Sequence, residues 1–294
     1  MLRNTITQIF KADYTDKAKA LVLLIVCVVM LTGCSQQYSA ERAFYQASKY
    51  SSDIFKDPKN IPPYKFGKAI EIFQSVINKY PQTDQAVESY FKIGDLYVLE
   101  EKYPEALVQF RKILGQYPDK RDVLARAIMS VGGCYEKQGD WDNTYKYMRE
   151  AFDKFPDVPG TLSIPEGILT YYMNKKDKAG QEKAYAQAIK DYQGLIAKYP
   201  ASQLAYSATN MLAEVYMRGE DWADVLATIN GLVKNYPQSP DAPTWLMTMA
   251  ATYEVKLNDK VKAREYYQMV KDKYSSSPWA KEADKRLESL GLAK

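Results

Sequence analysis

The segment SYFKIGDLYVLEEKYPEALVQFRKILGQYP, residues 89–118, decides the fold. Its first half carries Tyr90, Ile93-Gly94 and Tyr97, its second Ala106 and Phe110, and the acidic pair Glu100-Glu101 falls at the turn between them. Steps of three, four and seven residues put side chains on one face of a helix. Gly94 and Ala106 are small enough to let neighbouring helices approach closely, and Pro118 cannot continue a helix, so it closes the unit. The segment therefore reads as two helices folded against each other.

The same unit recurs along the chain. An aromatic residue followed by proline stands at Tyr80-Pro81, Tyr117-Pro118, Phe155-Pro156, Tyr199-Pro200 and Tyr236-Pro237, and Tyr274-Ser275 continues the series, at intervals of 37, 38, 44, 37 and 38 residues. A period in the thirties with helical patterning inside each unit is the mark of a two-helix solenoid. The next unit has Ile128, Val131-Gly132, Tyr135, Met148, Ala151 and Pro156, and a later one has Leu212-Ala213, Tyr216, Val225, Ile229 and Pro237. The long interval has seven extra residues between Tyr172 and Ala188, where Tyr97 and Ala106 are nine apart, so that unit is lengthened rather than broken. The first unit has Ala47 and Tyr50, then Ala69, Phe73 and Pro81, interrupted by the proline-rich insertion Asp57–Pro63. The last, with Tyr253, Ala263 and Tyr267, is one residue longer than standard. Beyond it, Ser275-Ser276-Ser277-Pro278 predicts a helix start, and Trp279, Ala283, Leu287 and Leu290 follow at helical spacing as a lone closing helix.

These offsets resemble the tetratricopeptide repeat. The resemblance implies an all-α, right-handed solenoid of about six helix pairs plus a C-terminal capping helix over residues 40–294. It also implies a groove lined by the first helix of each pair, receiving protein partners. Carried onto this chain, the groove positions include Phe91 and Asp95, Met129 and Glu136, and Asn210, Glu214 and Met217. In the last unit they are Thr244, Met247, Ala251 and Glu254. Methionine is flexible and polarizable, which suits a surface receiving apolar peptide side chains, although it serves equally to fill gaps between hairpins. The insertions at Asp57–Pro63 and from Asp157 to Pro165 compete with the groove as contact surfaces.

The N-terminus has a different character. Arg3, Lys11, Lys17 and Lys19 precede an uncharged apolar run of eleven, Leu21 to Leu31, the layout of a signal peptide. A spanning helix needs ~20 such residues. Leu31-Thr32-Gly33-Cys34 resembles the lipobox of bacterial lipoproteins, which implies removal of residues 1–33 and a diacylglyceryl group on Cys34, with residues 34–39 as the tether. Ser35 after the cysteine resembles lipoproteins exported to the outer membrane.

Composition narrows the chemistry. The formal charge is +4, and loss of residues 1–33 leaves +2, too little for the basic stripe that nucleic-acid binding requires. The run Lys175-Lys176-Asp177-Lys178 reads as a solvated turn. The chain contains no histidine, which removes the common nucleophile–base pairs and histidine metal sites; no cofactor or metal is expected beyond the covalent lipid. Cys134 lies in a helical pattern and reads as a buried small hydrophobe.

Lipobox, repeats and a mature length of 261 residues together resemble the BamD-type lipoproteins of the outer-membrane β-barrel assembly machine. The resemblance implies a non-enzymatic, periplasm-facing scaffold on the outer membrane. Its expected partners are other envelope proteins, either barrel-assembly subunits or unfolded outer-membrane protein segments. A pilotin-type or cell-envelope maintenance tetratricopeptide lipoprotein is the alternative, and a carboxylate-only glycan-active enzyme is the remote one.

Overall fold

The computed structural model describes residues 36–291, so the leader, Cys34 and the last three residues lie outside it. The described residues are helical and contain no strand. Thirteen α-helices alternate as predicted. In the first half these are α1 (36–56), α2 (Pro63–Lys79), α3 (Asp84–Leu99), α4 (Tyr103–Gln116), α5 (Arg121–Lys137) and α6 (Trp141–Lys154). The second half holds α7 (Ile164–Lys175), α8 (Lys178–Lys198), α9 (Gln203–Gly219), α10 (Trp222–Asn235), α11 (Ala242–Ala251), α12 (Lys260–Lys273) and α13 (Pro278–Ser289). Paired as α1/α2 through α11/α12 with α13 as the cap, they give the expected six hairpins and closing helix. The chain divides into two compact units, one ending at Tyr147 and the other beginning at Met148, so the division falls inside α6 rather than in a linker.

The aromatic-proline pairs explain how one hairpin hands over to the next. Tyr80 and Tyr199 are the C-caps of α2 and α8. Each carbonyl accepts from a hydroxyl three residues on, Thr83 at 2.8 Å and Ser202 at 2.6 Å, and those hydroxyls in turn cap α3 and α9 by accepting from Ala86 and Ala205 N–H. The stop of one helix and the start of the next are thus built from the four residues between them. The tyrosine rings also reach back one repeat. Tyr117 donates to the carbonyl of Pro81 at 2.9 Å, and Tyr274 donates to that of Pro237 at 2.8 Å. Periodicity alone marked these tyrosines as terminators, not as ties between repeats.

The core of the unit ending at Tyr147 is centred on Phe73, Phe91, Ile93, Leu96, Phe110 and Ile113, all at 1% exposure or less. Burying one such side chain contributes ~1.5–3 kcal/mol. Gly94 has the role assigned to it: a Cβ there would lie 2.4 Å from a ring carbon of Phe110. Cys134 is buried, and burial pushes its thiol up to about 11, with Asp95 adding to the shift.

In the unit beginning at Met148, the seven extra residues all go into one helix. α4, α6, α10 and α12 have 14 residues each and α8 has 21, while only Lys176 and Asp177 separate it from α7. Seven residues are nearly two turns, so the buried stripe of Ala184, Ala188, Tyr192 and Leu195 keeps its phase. Gly180 sits where the added turns pass α7; a Cβ would lie 2.2 Å from the Tyr172 ring. The loop before α7 is pinned rather than free. Thr161 is fully buried and donates to the carbonyls of Phe155 and Val158 at 2.6 and 2.8 Å. Ser277 occupies the N-cap of α13 with Pro278 following, but its hydroxyl finds no partner among the described residues, so proline geometry rather than a side-chain cap starts that helix.

Candidate functional site

The last hairpin and the closing helix enclose a cavity of about 540 Å³. Its floor is α11 and the turn that follows. Thr244, Met247, Ala251 and Glu254, the four groove positions expected in the last unit, all line it. Its other wall is α13, through Pro278, Trp279, Glu282 and Arg286, with Tyr267 of α12 at the back.

The single extra residue of this unit shapes the site. Residues Thr252–Lys256 form a π turn, closed by the Leu257 N–H donating to the Thr252 carbonyl at 3.0 Å. A one-residue insertion into a helix is absorbed this way, and such bulges recur at functional sites. Here the turn leaves Val255 at 68% exposure on the rim. Trp279 is 39% exposed at the opposite rim, so two large apolar side chains face solvent across a cavity lined by Met247 and Ala251.

The polar groups are held in place. Tyr267, 1% exposed, donates to Glu254 Oε2 at 2.6 Å. Burial, followed by that carboxylate, raises the Tyr267 hydroxyl well above the ordinary phenol range, so it remains a proton donor to Glu254. Glu282 accepts from Arg286 Nε at 3.2 Å. Each carboxylate is thus held by a donor from a neighbouring side chain. The chemistry available is an apolar slot with a fixed acceptor at one edge and a guanidinium at the other, which suits a peptide side chain and its flanking backbone.

The other expected groove positions fare unevenly. Phe91 is a correction: it is 1% exposed, its ring centroid 6.2 Å from that of Phe110, with the Arg126 guanidinium 3.7 Å above it. An aromatic ring at that offset is large enough to be drawn into its own hairpin, and Arg126, paired with Glu88 at 2.6 Å, closes over it. Asp95 is half-buried close by; burial pushes its carboxyl up, and Lys92 and Arg126 oppose that. Asn210 is half-buried, with a bond at each end of its amide. It accepts from Trp245 Nε1 at 2.9 Å and donates to the Tyr206 carbonyl at 3.0 Å. Met129 and Met217 are half-buried, and Glu136 and Glu214 are exposed. Met247, although only 9% exposed, does line the cavity. The residues that sequence reasoning missed are Val255, Glu282 and Arg286, and Tyr267 was legible only as part of the last repeat. Trp279 was legible only as part of a cap.

A family profile described as YfiO, outer membrane lipoprotein, matches residues 47–266 and again 168–292. No curated protein matches the chain. Among solved structures, the pilF protein of Pseudomonas aeruginosa is 14% identical over 83% of this chain and 97% of its own, with a TM-score of 0.41. A tetratricopeptide repeat protein from Parabacteroides merdae is 14% identical over 86% and 95%, with a TM-score of 0.40. The C-terminal part of a repeat protein from Cytophaga hutchinsonii is 15% identical over 82% and 94%, with a TM-score of 0.44.

Proposed function

Because the chain belongs to the YfiO family of outer membrane lipoproteins, we propose that it is a periplasm-facing scaffold, held to the outer membrane by lipid on Cys34, that docks protein partners during β-barrel protein assembly. The observation that carries the docking role is the cavity between α11 and α13. All four groove positions of the last hairpin line it, and exposed Val255 and Trp279 flank it. An apolar partner side chain enters the slot between them, and Arg286 meets a partner acceptor. Exposed aromatic and arginine side chains around a concave pocket are the usual anchors of protein interfaces. The reading is non-enzymatic: the site binds through an apolar slot with an acceptor at one edge and a guanidinium at the other.

Purification from detergent-solubilised membranes tests it. The chain is expected to carry barrel-assembly subunits with it, and Ala251→Trp, which fills the slot from an exposed helix position, is expected to release them while the helical circular dichroism signal is kept. Recovery without any barrel-assembly subunit would remove the assembly role. Recovery of pilus-secretion components instead would establish the pilotin alternative.

A further inference from the structure

The solvent face of α1 carries a line of aromatic and basic side chains. Tyr38, Arg42, Tyr45, Lys49 and Lys56 succeed one another at steps of four, three, four and seven residues, which at 100° per residue keeps them within ~40° of one line along the helix. The opposite side holds Ala40, Ala47 and Ile54, at 0–1% exposure, and Phe44 packs on Phe73 at a centroid distance of 5.8 Å. The tyrosines on the outer line are 68% and 62% exposed. None of Arg42, Lys49 and Lys56 has an ion-pair partner among the described residues. The acids beside the line are Asp53 at one edge and Glu41, which accepts from Gln37 at 3.0 Å, at the other.

We infer that this face of α1 lies flat on the bilayer that holds the anchor, with its tyrosines at headgroup depth and its basic residues against anionic phospholipid. The inference rests on the lipidation of Cys34 proposed above. The described part of α1 begins at residue 36, and two residues reach at most ~7 Å. The start of the helix is therefore held among the headgroups. From there 21 residues extend for ~30 Å, and the line of tyrosines and cations runs their whole length rather than clustering at the tethered end. Tyrosine is the residue of membrane–water interfaces, with an apolar ring and a polar tip. Lysine and arginine near an anionic surface each strengthen attachment by about fivefold. A lipid fixes position but leaves the protein free to swivel; a second, linear contact fixes which face points away from the membrane.

The test uses the full lipidated chain in vesicles of phosphatidylethanolamine and phosphatidylglycerol containing brominated lipid, which quenches tryptophan at the interface. Tyr45→Trp on α1 and Val108→Trp on α4, 50% exposed, are each read as the difference from the parent chain. Strong quenching at position 45, none at position 108, and loss of the position 45 signal on adding Arg42→Glu and Lys49→Glu support the inference. Flotation with the vesicles in high salt reports the anchor separately. If the chain floats but position 45 is quenched no more than position 108, α1 does not lie on the bilayer and the anchor stands. If the chain fails to float in high salt yet position 45 is quenched in low salt, lipidation is refuted and the α1 contact stands. Absence of both overturns both.

Discussion

A single methyl group at position 94 measures how closely the hairpins are packed. A Cβ built there meets two carbons of the Phe110 ring at 2.4 and 2.5 Å, where comfortable carbon contacts are ~3.5–4.0 Å. The ring has to retreat by about 1 Å. It is 1% exposed and packed against Phe91, so any retreat disturbs the core. Such overpacking costs ~1–3 kcal/mol. Alanine also gains up to ~1 kcal/mol over glycine in a helix interior, which masks part of the loss. Gly115→Ala, near the end of α4, supplies the reference, because a Cβ there meets nothing within 4 Å. In urea unfolding followed by circular dichroism, Gly94→Ala should be less stable than Gly115→Ala by ~1–3 kcal/mol. Equal stability of the two variants would refute the register that places α3 against α4.

Three further outcomes follow from other contacts. Tyr117→Phe removes the bond to the Pro81 carbonyl and should cost ~0.5–1.5 kcal/mol, read as a lower urea midpoint; an unchanged midpoint would show that the tie between repeats contributes nothing. Burial raises the hydroxyls of Tyr117, Tyr185, Tyr192 and Tyr267, so folding favours their protonated forms. Their contribution is complete below the unfolded phenol value of ~10 and is lost as pH rises above it, and a urea midpoint that holds steady through that range would contradict it. Deleting residues 178–184 from α8 removes nearly two turns and should leave a folded chain. Deleting 178–182 turns the buried stripe by ~140° and should abolish cooperative unfolding, so equal behaviour of the two deletions would refute the phase argument.

The hairpins were legible because their determinants are local and repeated. Gly94, Ala106 and Pro118 each specify a small gap or a stop, and the aromatic-proline series fixes the period. The count of seven extra residues was also legible, but not that all seven join α8, because a loop and two helical turns fit the same arithmetic. The same holds for the extra residue of the last unit, which became a π turn at the rim of the cavity. Groove positions were harder. Offset places a residue on a helix face, but side-chain size decides whether it stays there. Phe91 was drawn into the core beneath Arg126, while Ala251 and Glu254 remained on the wall of the cavity. The α13 wall was out of reach, since no repeat pattern says where a lone cap will dock.

Site-specific photo-cross-linking in intact cells tests the docking role most directly, with the reactive side chain placed at Val255 or Trp279 on the rim of the cavity and at Val108, an exposed residue that does not line it. Adducts from positions 255 and 279 to a barrel-assembly subunit or an unfolded outer-membrane protein, absent from position 108 and lost on Ala251→Trp, are the predicted result. Adducts that form from position 108 but not from the rim, or rim adducts unaffected by filling the cavity, would contradict the assignment of this site as the partner-binding surface.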